Sequence, residues 1–343
     1  FYTRPTFADE IVETMELVVH PLERVLQVPT GANLLETLRA HDVPISYSCM
    51  AGRCGTCRCK VVSGSVIETG REAKITNPSE GDYVLACTSV LTESCAIEIP
   101  EPDEIVTHPA RIIKALVTAI VDATHDIKIV RLKPAKPLSF SPGQYATLQF
   151  TPDHIRPYSM AGLCTDDELE FHVRLAPDGR VSSYIFNQLK IGDAVRVSGP
   201  LGTAYLRTRH EGPMLCVAGG TGLAPILAIV RGAIAARMDN PIHLYFGARS
   251  PQDIYGMAQL QSLQAVHPPL KMEVVVTTNE TLDSKHRVGL ITEAIAQDIQ
   301  GFHGWRAYVC GAPPMVEATA TLLKQRGIDE QRVYADAFYA SST

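Results

Sequence analysis

Four cysteines constrain this chain more than any other feature of its sequence. Cys49, Cys54 and Cys57 stand close together, and Cys87 follows after 29 intervening residues. This spacing is typical of four thiolates that hold a plant-type 2Fe–2S cluster. A zinc site more often shows two close pairs of ligands, whereas here three cysteines are clustered and the fourth is distant. The spacing therefore predicts that these four cysteines ligate an iron–sulfur cluster, which transfers one electron at a time.

The other five cysteines are not predicted to be ligands. The total of nine is odd and the remaining cysteines are scattered, which argues against a disulfide framework. Cys59 would point the same way as Cys57 in an extended strand, so we interpret it as a neighbour of the cluster. Cys95, Cys164 and Cys216 lie in apolar or strand-like stretches, where we expect cysteine to be a small buried hydrophobic residue.

Length and charge limit the class of protein. A chain of 343 residues is expected to form two or three domains. Residues 1–104 hold 16 acidic and 8 basic side chains, and the remainder holds 21 and 23. The acidic front end argues against a nucleic-acid partner. This acidic region could dock onto a basic surface of a partner protein, or it could simply be an acidic face exposed to solvent.

The sequence shows neither a secretory signal nor a membrane span. Residues 1–14 lack a basic start followed by an apolar core, and we interpret them as a leader or an N-terminal extension. The longest uncharged apolar stretch, 214–230, is too short and too rich in glycine to cross a bilayer. We therefore expect a cytoplasmic protein with reduced thiols and no membrane partner.

The pattern of apolar runs and turns divides the chain into three blocks joined by one linker. Residues 15–102 combine strands with one helix that begins after Asn33, and the linker covers 103–110. Residues 111–210 hold short strands between turns, which favours an antiparallel barrel. Residues 211–343 alternate strands with helices, which favours a parallel sheet. The main predicted strands are 15–20, 24–28, 111–121, 145–150, 168–175, 194–198, 215–218, 242–246, 272–276, 307–310 and 333–335.

One short motif in the barrel block suits a flavin nucleotide. Arg156, Tyr158 and Ser159 are predicted to follow a strand, and they offer a guanidinium for a diphosphate, an aromatic face and a hydroxyl. A surface arginine beside a buried tyrosine is the simpler alternative. Residues 179–182 precede a predicted helix over 182–189, and the N–H groups at such a helix start bind anions. Two phosphate contacts in one barrel favour FAD over FMN.

Two loops of the last block suit a nicotinamide nucleotide. Gly220, Thr221 and Gly222 follow a strand and open a helix, although the run is not the G-x-G-x-x-G fingerprint. Cys310 ends another strand of the same predicted sheet, and ligands bind at the carboxyl ends of parallel strands. Arg249 follows a third strand, where it would meet the adenosine ribose or a 2′-phosphate, or remain an ordinary exposed arginine.

The last residues place two aromatic side chains close together. Phe338 and Tyr339 follow Asp336 within four residues. An aromatic residue at this position could cap a packed edge of the fold or stack on a flavin ring. The residues alone leave both alternatives open.

Together these motifs resemble the ferredoxin–flavin–nicotinamide reductases of aromatic-ring oxygenase systems, and among them the naphthalene dioxygenase reductase type. The resemblance covers about residues 15 to 340. The segments that carry it are SYSC at 46–49, YVLAC at 83–87, DEIVTHPAR at 103–111, SPGQYAT at 141–147, SGPLGTAY at 198–205 and YADAFY at 334–339.

The resemblance implies a fold and a set of site residues. The implied fold is a β-grasp plant-type ferredoxin domain, an antiparallel β-barrel FAD domain and a doubly wound parallel α/β NAD domain. Asp178 stands where many members have glycine. The implied catalytic residues are Ser159, Cys310 and Phe338. The implied residues for FAD and the nicotinamide nucleotide are Arg156, Pro157, Tyr158, Ser159, His172, Val173, Gly179, Val181, Ser182, Gly220, Thr221, Gly222, Arg249, Cys310, Gly311 and Phe338.

The resemblance also implies an activity. Electrons from NADH, or from NADPH, would pass through FAD to the chain's own 2Fe–2S cluster. They would continue to a ferredoxin, expected to be of the Rieske type, that serves a ring-hydroxylating aromatic dioxygenase. FAD belongs between the two because flavins exchange electrons singly or in pairs. The alternatives are direct delivery to an oxygenase and a redox-sensing binding module.

Overall fold

The computed structural model describes residues 14–47, 50, 52, 57–69, 74–76, 83–100, 105, 108–278 and 286–339. The chain divides into two compact units, one before and one after the boundary between Thr107 and His108. Within the described residues, no helix is long and apolar enough to cross a membrane. The predicted leader lies almost wholly outside the described residues, as does half of the predicted linker.

The first unit is a mixed sheet with one helix packed against it, which is the predicted β-grasp arrangement. The order in the five-stranded sheet is β2-β1-β8-β3-β6, with β1 and β8 parallel, and β5-β4-β7 form a small second sheet. The elements are β1 (Thr14–His20), β2 (Arg24–Pro29), α1 (Leu34–Ala40), β3 (Arg58–Ser63), β4 (Val66–Glu68), β5 (Lys74–Thr76), β6 (Tyr83–Leu85), β7 (Ser89–Leu91) and β8 (Cys95–Glu98).

Sequence pattern explains how the helix of this unit forms and packs. The Asn33 side chain accepts a hydrogen bond from the Glu36 backbone N–H at 3.1 Å, so Asn33 caps α1 as predicted. Leu34, Leu35 and Leu38 are buried in the same core cluster as alternate residues of β1. One apolar stripe on the helix therefore covers one face of the sheet.

The second unit begins with an antiparallel barrel. Its strand order is β12-β11-β14-β9-β10-β13, and a bridge between Met160 and Phe171 joins the two edges. Helix α2 covers one opening, where Val181 and Ile185 enter the barrel core. The elements are β9 (Arg111–Asp122), β10 (Ile127–Pro134), β11 (Tyr145–Thr151), β12 (His154–Ser159), β13 (Leu169–Arg174), α2 (Arg180–Asn187) and β14 (Ala194–Leu201).

The rest of the second unit is a six-stranded parallel sheet with helices on both faces. The strand order is β18-β17-β16-β15-β19-β20. Successive residues of β15 alternate between two cores: Cys216 packs with α3 and α4, and Val217 with α5 and α6. The elements are β15 (Met214–Gly219), α3 (Leu223–Ala235), β16 (Ile242–Ala248), α4 (Met257–Val266), β17 (Leu270–Val276), β18 (Arg287–Val288), α5 (Ile291–Asp298), β19 (Arg306–Gly311), α6 (Pro313–Gln325) and β20 (Val333–Ala337).

Three details differ from the sequence-based expectations. Arg156 to Ser159 do not follow a strand but lie on β12, which is an edge strand of the sheet order and so tolerates Pro157. Helix α2 begins at Arg180, two residues earlier than predicted, because Gly179 is the N-cap. Cys164 is exposed because it lies in the turn region between β12 and β13, so its predicted burial was wrong.

Candidate functional site

Two of the four predicted cluster ligands lie side by side in the first unit. Cys57 precedes β3, and Cys87 lies in a short 3-10 helix after β6. The backbone N–H of Cys87 donates to Cys57 Sγ at 3.3 Å, and the N–H of Gly52 donates to Cys87 Sγ at 3.3 Å. The hydrogen bond with Cys57 is the main cause that lowers the pKa of the Cys87 thiol. Cys49 and Cys54 lie outside the described residues.

The other two cysteines of this unit differ from that pair. Cys59 and Cys95 are both buried. Burial raises the pKa of Cys59 to about 12 and that of Cys95 to about 11. Without a metal these two thiols are neutral, whereas metal ligation uses the thiolate form. The donors around Cys57 and Cys87 suit it, and the pair therefore fits one side of an iron–sulfur site.

Strand β12 carries the predicted flavin motif. Tyr158 pairs with Ala146 of β11 in the antiparallel ladder, and Pro157 pairs with Thr147. The Tyr158 hydroxyl is buried and has no hydrogen-bond partner among the described residues, and burial raises the pKa of this phenol. Because buried polar groups are normally paired, this hydroxyl fits a site that is completed by a polar bound group. An FAD molecule carries suitable oxygen atoms.

Arg156 meets the last described residues of the chain. Its Nη2 donates to the backbone oxygen of Tyr339 at 3.0 Å, although 183 positions separate the two. The Tyr339 side chain is exposed. The C-terminal aromatic segment therefore lies beside the flavin motif, as the stacking interpretation of Phe338 and Tyr339 requires.

The second predicted phosphate contact lies at the start of α2. The Ser182 hydroxyl donates to the Gly179 oxygen at 3.0 Å and accepts from the Ala176 N–H at 3.1 Å. A Cβ on Gly179 would lie 2.4 Å from Ser182 Oγ, so glycine is required at this turn. Asp178 adopts a left-handed φ of 55°, a backbone conformation that glycine adopts without strain. Val181 points into the barrel core.

His172 and Val173 are adjacent on β13 but have different surroundings. Val173 is fully buried in the barrel core. His172 is buried too, but its ring contacts Tyr255 Oη at 2.9 Å through Nδ1 and Glu170 Oε1 at 3.2 Å through Nε2. Burial would raise the pKa of Glu170, but its bonds to His172 and Arg131 lower that pKa to about 2. Both nitrogens of the His172 ring are therefore engaged within the protein.

The three predicted catalytic residues come together where the barrel meets the parallel sheet. The Ser159 hydroxyl donates to Asp336 Oδ2 at 3.0 Å, which joins β12 to β20. Asp336 pairs with Cys310 in the β19–β20 ladder. The Phe338 N–H donates to the Gly311 oxygen at 2.8 Å. The Ser159 hydroxyl of the barrel therefore lies at the carboxyl end of the parallel sheet, close to the end of β19.

Burial sets the protonation of this group of residues. It raises the pKa of Asp336, and the hydrogen bond from Ser159 offsets only part of that rise. It also raises the pKa of Cys310 well above the usual range, so this thiol is neutral. A hydroxyl and a carboxyl in contact can hold and pass a proton at Ser159 Oγ and Asp336 Oδ2.

Asp336 is a candidate site residue that the sequence alone did not single out. It lies within the YADAFY segment, two residues before Phe338. Because that segment is one of those that carry the family resemblance, its position there was the sequence signal that could have identified Asp336. Its contact with Ser159 spans 177 positions and arises only from the tertiary fold.

The predicted pyrophosphate loop lies in a single turn of 3-10 helix between β15 and α3. Gly220, Thr221 and Gly222 form this turn, and a Cβ on Gly222 would lie 2.0 Å from the Cys310 oxygen. A Cβ on Gly220 would lie 3.1 Å from the Arg174 guanidinium. The loop therefore sits at the carboxyl end of the sheet, where nucleotides bind.

Arg249 follows β16 directly, at the same edge of the sheet. Its Nη2 lies 2.8 Å from Asp126 Oδ2 and 3.2 Å from Asp253 Oδ1. Arg249 is thus not an isolated exposed arginine, because two carboxylates hold its guanidinium.

Three family descriptions together match most of the chain. Residues 17–92 match the 2Fe–2S iron–sulfur cluster binding domain, residues 114–205 the oxidoreductase FAD-binding domain and residues 216–321 the oxidoreductase NAD-binding domain. The sequence therefore contains the three predicted cofactor-binding domains in the predicted order.

Two relatives resemble the chain over nearly its full length. One is the ferredoxin–NAD(P)+ reductase component of naphthalene 1,2-dioxygenase/salicylate 5-hydroxylase systems from Ralstonia sp., 59% identical over 95% of this chain and 99% of the relative. The other is the corresponding component of the naphthalene 1,2-dioxygenase system from Pseudomonas putida, 58% identical over 95% and 99%.

Solved structures agree with this relationship. The Amycolatopsis cytochrome P450 reductase is 32% identical with a TM-score of 0.70, over 95% of this chain and 99% of that chain. The ferredoxin reductase in carbazole 1,9a-dioxygenase is 27% identical with a TM-score of 0.65, over the same fractions. The chain belongs to the naphthalene dioxygenase reductase family, whose members are electron-transfer oxidoreductases with 2Fe–2S, FAD and NAD-binding domains.

Proposed function

We propose that this chain catalyses electron transfer from NADH or NADPH to a separate ferredoxin of the Rieske type that serves a ring-hydroxylating aromatic dioxygenase. The observation that carries the proposal is the 3.0 Å bond between Ser159 on the barrel and Asp336 on the parallel sheet. It joins the predicted flavin motif to β20, which pairs with β19 at Cys310, a residue predicted to lie beside the nicotinamide. The names of the two naphthalene-system relatives support the kind of partner.

The residues around β12 would hold FAD. The Arg156 guanidinium suits a diphosphate, the Tyr158 ring suits the face of the isoalloxazine, and the amides before α2 suit a second phosphate. The buried hydroxyl of Tyr158, which has no hydrogen-bond partner in the described part of the chain, supports this assignment. When bound, FAD supplies the exchange between two-electron and one-electron transfer.

The chain's own residues would orient the reaction. The glycine loop after β15 would hold the pyrophosphate of the nicotinamide nucleotide, and Cys310 and Gly311 would line the nicotinamide side. Ser159 and Asp336 would hold a proton beside the reacting ring atoms. Phe338, fixed through its N–H to Gly311, would cover that side and exclude water until the nucleotide arrives.

The first unit would hold the 2Fe–2S cluster through Cys49, Cys54, Cys57 and Cys87. We propose the domain limits 15–102 for the cluster domain, 111–210 for the FAD domain and 211–343 for the NAD domain, with a linker at 103–110. The excess of acidic residues in 1–104 suits a partner with a basic docking surface.

The proposal is tested with the purified holoprotein under anaerobic conditions. Titration with NADH, followed by visible and electron paramagnetic resonance spectra, should reduce both a flavin and a 2Fe–2S centre. A reconstituted assay with an oxygenase should then require an added Rieske-type ferredoxin for turnover. Full oxygenase turnover without any ferredoxin would contradict the proposed partner. Zinc in place of iron, or no extractable flavin, would contradict the proposed function itself.

A further inference from the structure

The strand order indicates where the adenosine half of the nucleotide lies, given the proposed function. The reactive ring must reach Ser159 and Cys310, beside β19 and β20, and the pyrophosphate loop follows β15. Because the sheet order is β17-β16-β15-β19-β20, the remaining half of the nucleotide extends toward β16 and β17. Arg249 follows β16 directly, and the Thr278 N–H after β17 donates to its backbone oxygen at 2.8 Å.

A network of charges occupies this end of the sheet. Asp126, on the barrel turn between β9 and β10, accepts at its Oδ2 from Arg249 Nη2 and from Arg174 Nε, each at 2.8 Å. Asp253 Oδ1 lies 3.2 Å from Arg249 Nη2 and 3.4 Å from Arg174 Nη2. Two guanidinium groups are thus balanced by two carboxylates, and Arg249 offers no surplus positive charge.

One further titratable group faces the network. His125 Nε2 lies 4.0 Å from Asp126 Oδ1 and 3.9 Å from Asp253 Oδ1, and the His125 side chain is 59% exposed. This histidine and the two aspartates are close enough to bind a metal ion. Arg174 and Arg249 already occupy the carboxylates, so the cluster does not favour a cation.

We propose that Asp126 biases the adenosine site toward NADH and against NADPH. Its carboxylate neutralises Arg249, the side chain best placed for a 2′-phosphate, and would accept a hydrogen bond from a ribose 2′-hydroxyl. An acidic residue for the 2′-hydroxyl and an arginine for the 2′-phosphate are the two usual solutions in nucleotide sites. A 2′-phosphate carries almost two negative charges, so an adjacent carboxylate repels it.

The charge of Asp126 is secure at neutral pH. Burial alone would raise its pKa, but hydrogen bonding and charge from Arg174 more than offset burial and lower the pKa below its usual value. The Thr124 hydroxyl also donates to Asp126 Oδ1 at 3.0 Å. An asparagine keeps an oxygen for Thr124, so Asp126→Asn removes the charge with little change of shape.

The experiment compares Asp126→Asn with Asp122→Asn in the holoprotein. Asp122 lies on the same hairpin, is exposed and pairs with Lys128, so its variant removes one charge outside the network. Two ratios are measured: kcat/KM for NADPH against NADH, and the calorimetric affinity for 2′,5′-ADP against 5′-ADP. We expect both ratios to rise about tenfold, or about 1.4 kcal/mol, in Asp126→Asn and to change less than about twofold in Asp122→Asn. Equal changes in both variants would overturn the proposal.

Two further variants keep the test decisive. Adding Arg249→Gln to Asp126→Asn should remove most of the gain, because the released guanidinium is its source. His125→Glu adds a negative charge at an exposed position and should lower both ratios below the wild-type values. A double variant that keeps the full gain of Asp126→Asn, or a His125→Glu variant with wild-type ratios, would overturn the proposal. If the wild-type protein oxidises neither nucleotide, the proposed function fails, whereas an unchanged selectivity in an active Asp126→Asn enzyme refutes only the role of Asp126.

Discussion

The two compact units hold their reactive groups in different ways. In the first unit, Cys57 and Cys87 lie outside the strands, and backbone N–H groups point at both sulfur atoms. In the second unit, Ser159, Cys310 and Asp336 lie on three strands whose ladders fix their positions. A site made of thiols on turns gains its final geometry from the bound metal. A site built on paired strands is formed before its ligands arrive.

The largest effect is expected when a cluster ligand is removed, because this substitution should abolish the function of the first unit and leave that of the second intact. In Cys87→Ser we expect the cluster absorbance and the reduction of ferredoxin to be abolished, because a serine hydroxyl replaces a low-pKa thiol. NADH-driven reduction of ferricyanide should persist, since it needs only the second unit. Visible spectra and steady-state assays measure both quantities.

Cys95→Ala is the matched control for that variant. Cys95 lies in the same unit, but burial keeps its thiol protonated. The control should retain cluster absorbance. Loss of ferricyanide reduction in a folded Cys87→Ser protein would show that the two sites are not separable.

A second variant tests the preformed site of the second unit. Removing the hydroxyl in Ser159→Ala should slow NADH-driven flavin reduction about 100-fold, the usual cost of one preorganised polar group. The cluster spectrum should not change. Stopped-flow absorbance provides the rate. Ser262→Ala is the control, because within the described part of the chain that hydroxyl bonds only to the Ala258 oxygen of its own helix. Equal rates in both variants would dismiss the role of Ser159.

A third test asks whether the two units unfold independently, by substituting one buried leucine in each unit. Leu38 and Leu227 are both fully buried, Leu38 in the core of the first unit and Leu227 in that of the second. We expect each leucine-to-alanine variant to lower the free energy of unfolding by about 3 kcal/mol. Scanning calorimetry should show the loss only in the transition of the altered unit. A shift of both transitions by either variant would mean that the units unfold together.

The smallest effect concerns the pH dependence of stability. Burial raises the pKa of Asp336 in the folded protein, so the folded state binds this proton more tightly than the unfolded state does. That contribution is complete below the unfolded pKa of about 4 and is lost as the pH rises through the folded pKa. Asp336→Asn should therefore melt at a higher temperature than the wild type at pH 7 but not at about pH 4. A pH-independent difference would contradict this.

The sequence predicted most of the fold because its signals are local. Alternating burial in β1 and the Asn33 cap of α1 follow from nearby residues. Strand β10 was not predicted because the adjacent apolar residues Ile129 and Val130 break the alternation of its sequence, and its burial pattern is broken at the same place. Strand β12 was not predicted because Pro157 argues against a strand unless that strand lies at a sheet edge.

The candidate site was predictable only in part. The cysteine spacing and the glycine loop are short-range patterns, so their residues could be named from sequence. The contacts of Ser159 with Asp336 and of Arg249 with Asp126 join residues 177 and 123 positions apart. No local pattern encodes such pairs, because they depend on how the barrel packs on the parallel sheet.

The close packing of Gly222 has a mechanical consequence. Since a single added carbon would lie 2.0 Å from the Cys310 oxygen, the turn after β15 rests directly on the backbone of β19. The turn at Gly220–Gly222 would bind the pyrophosphate of the dinucleotide, and Cys310 would contact its nicotinamide end. Because the two segments pack directly against each other, they form one rigid part of the site. If these loops bind the nucleotide as proposed, we expect a substitution that displaces this turn to displace the nicotinamide ring too, and so to change both the affinity and the reaction rate.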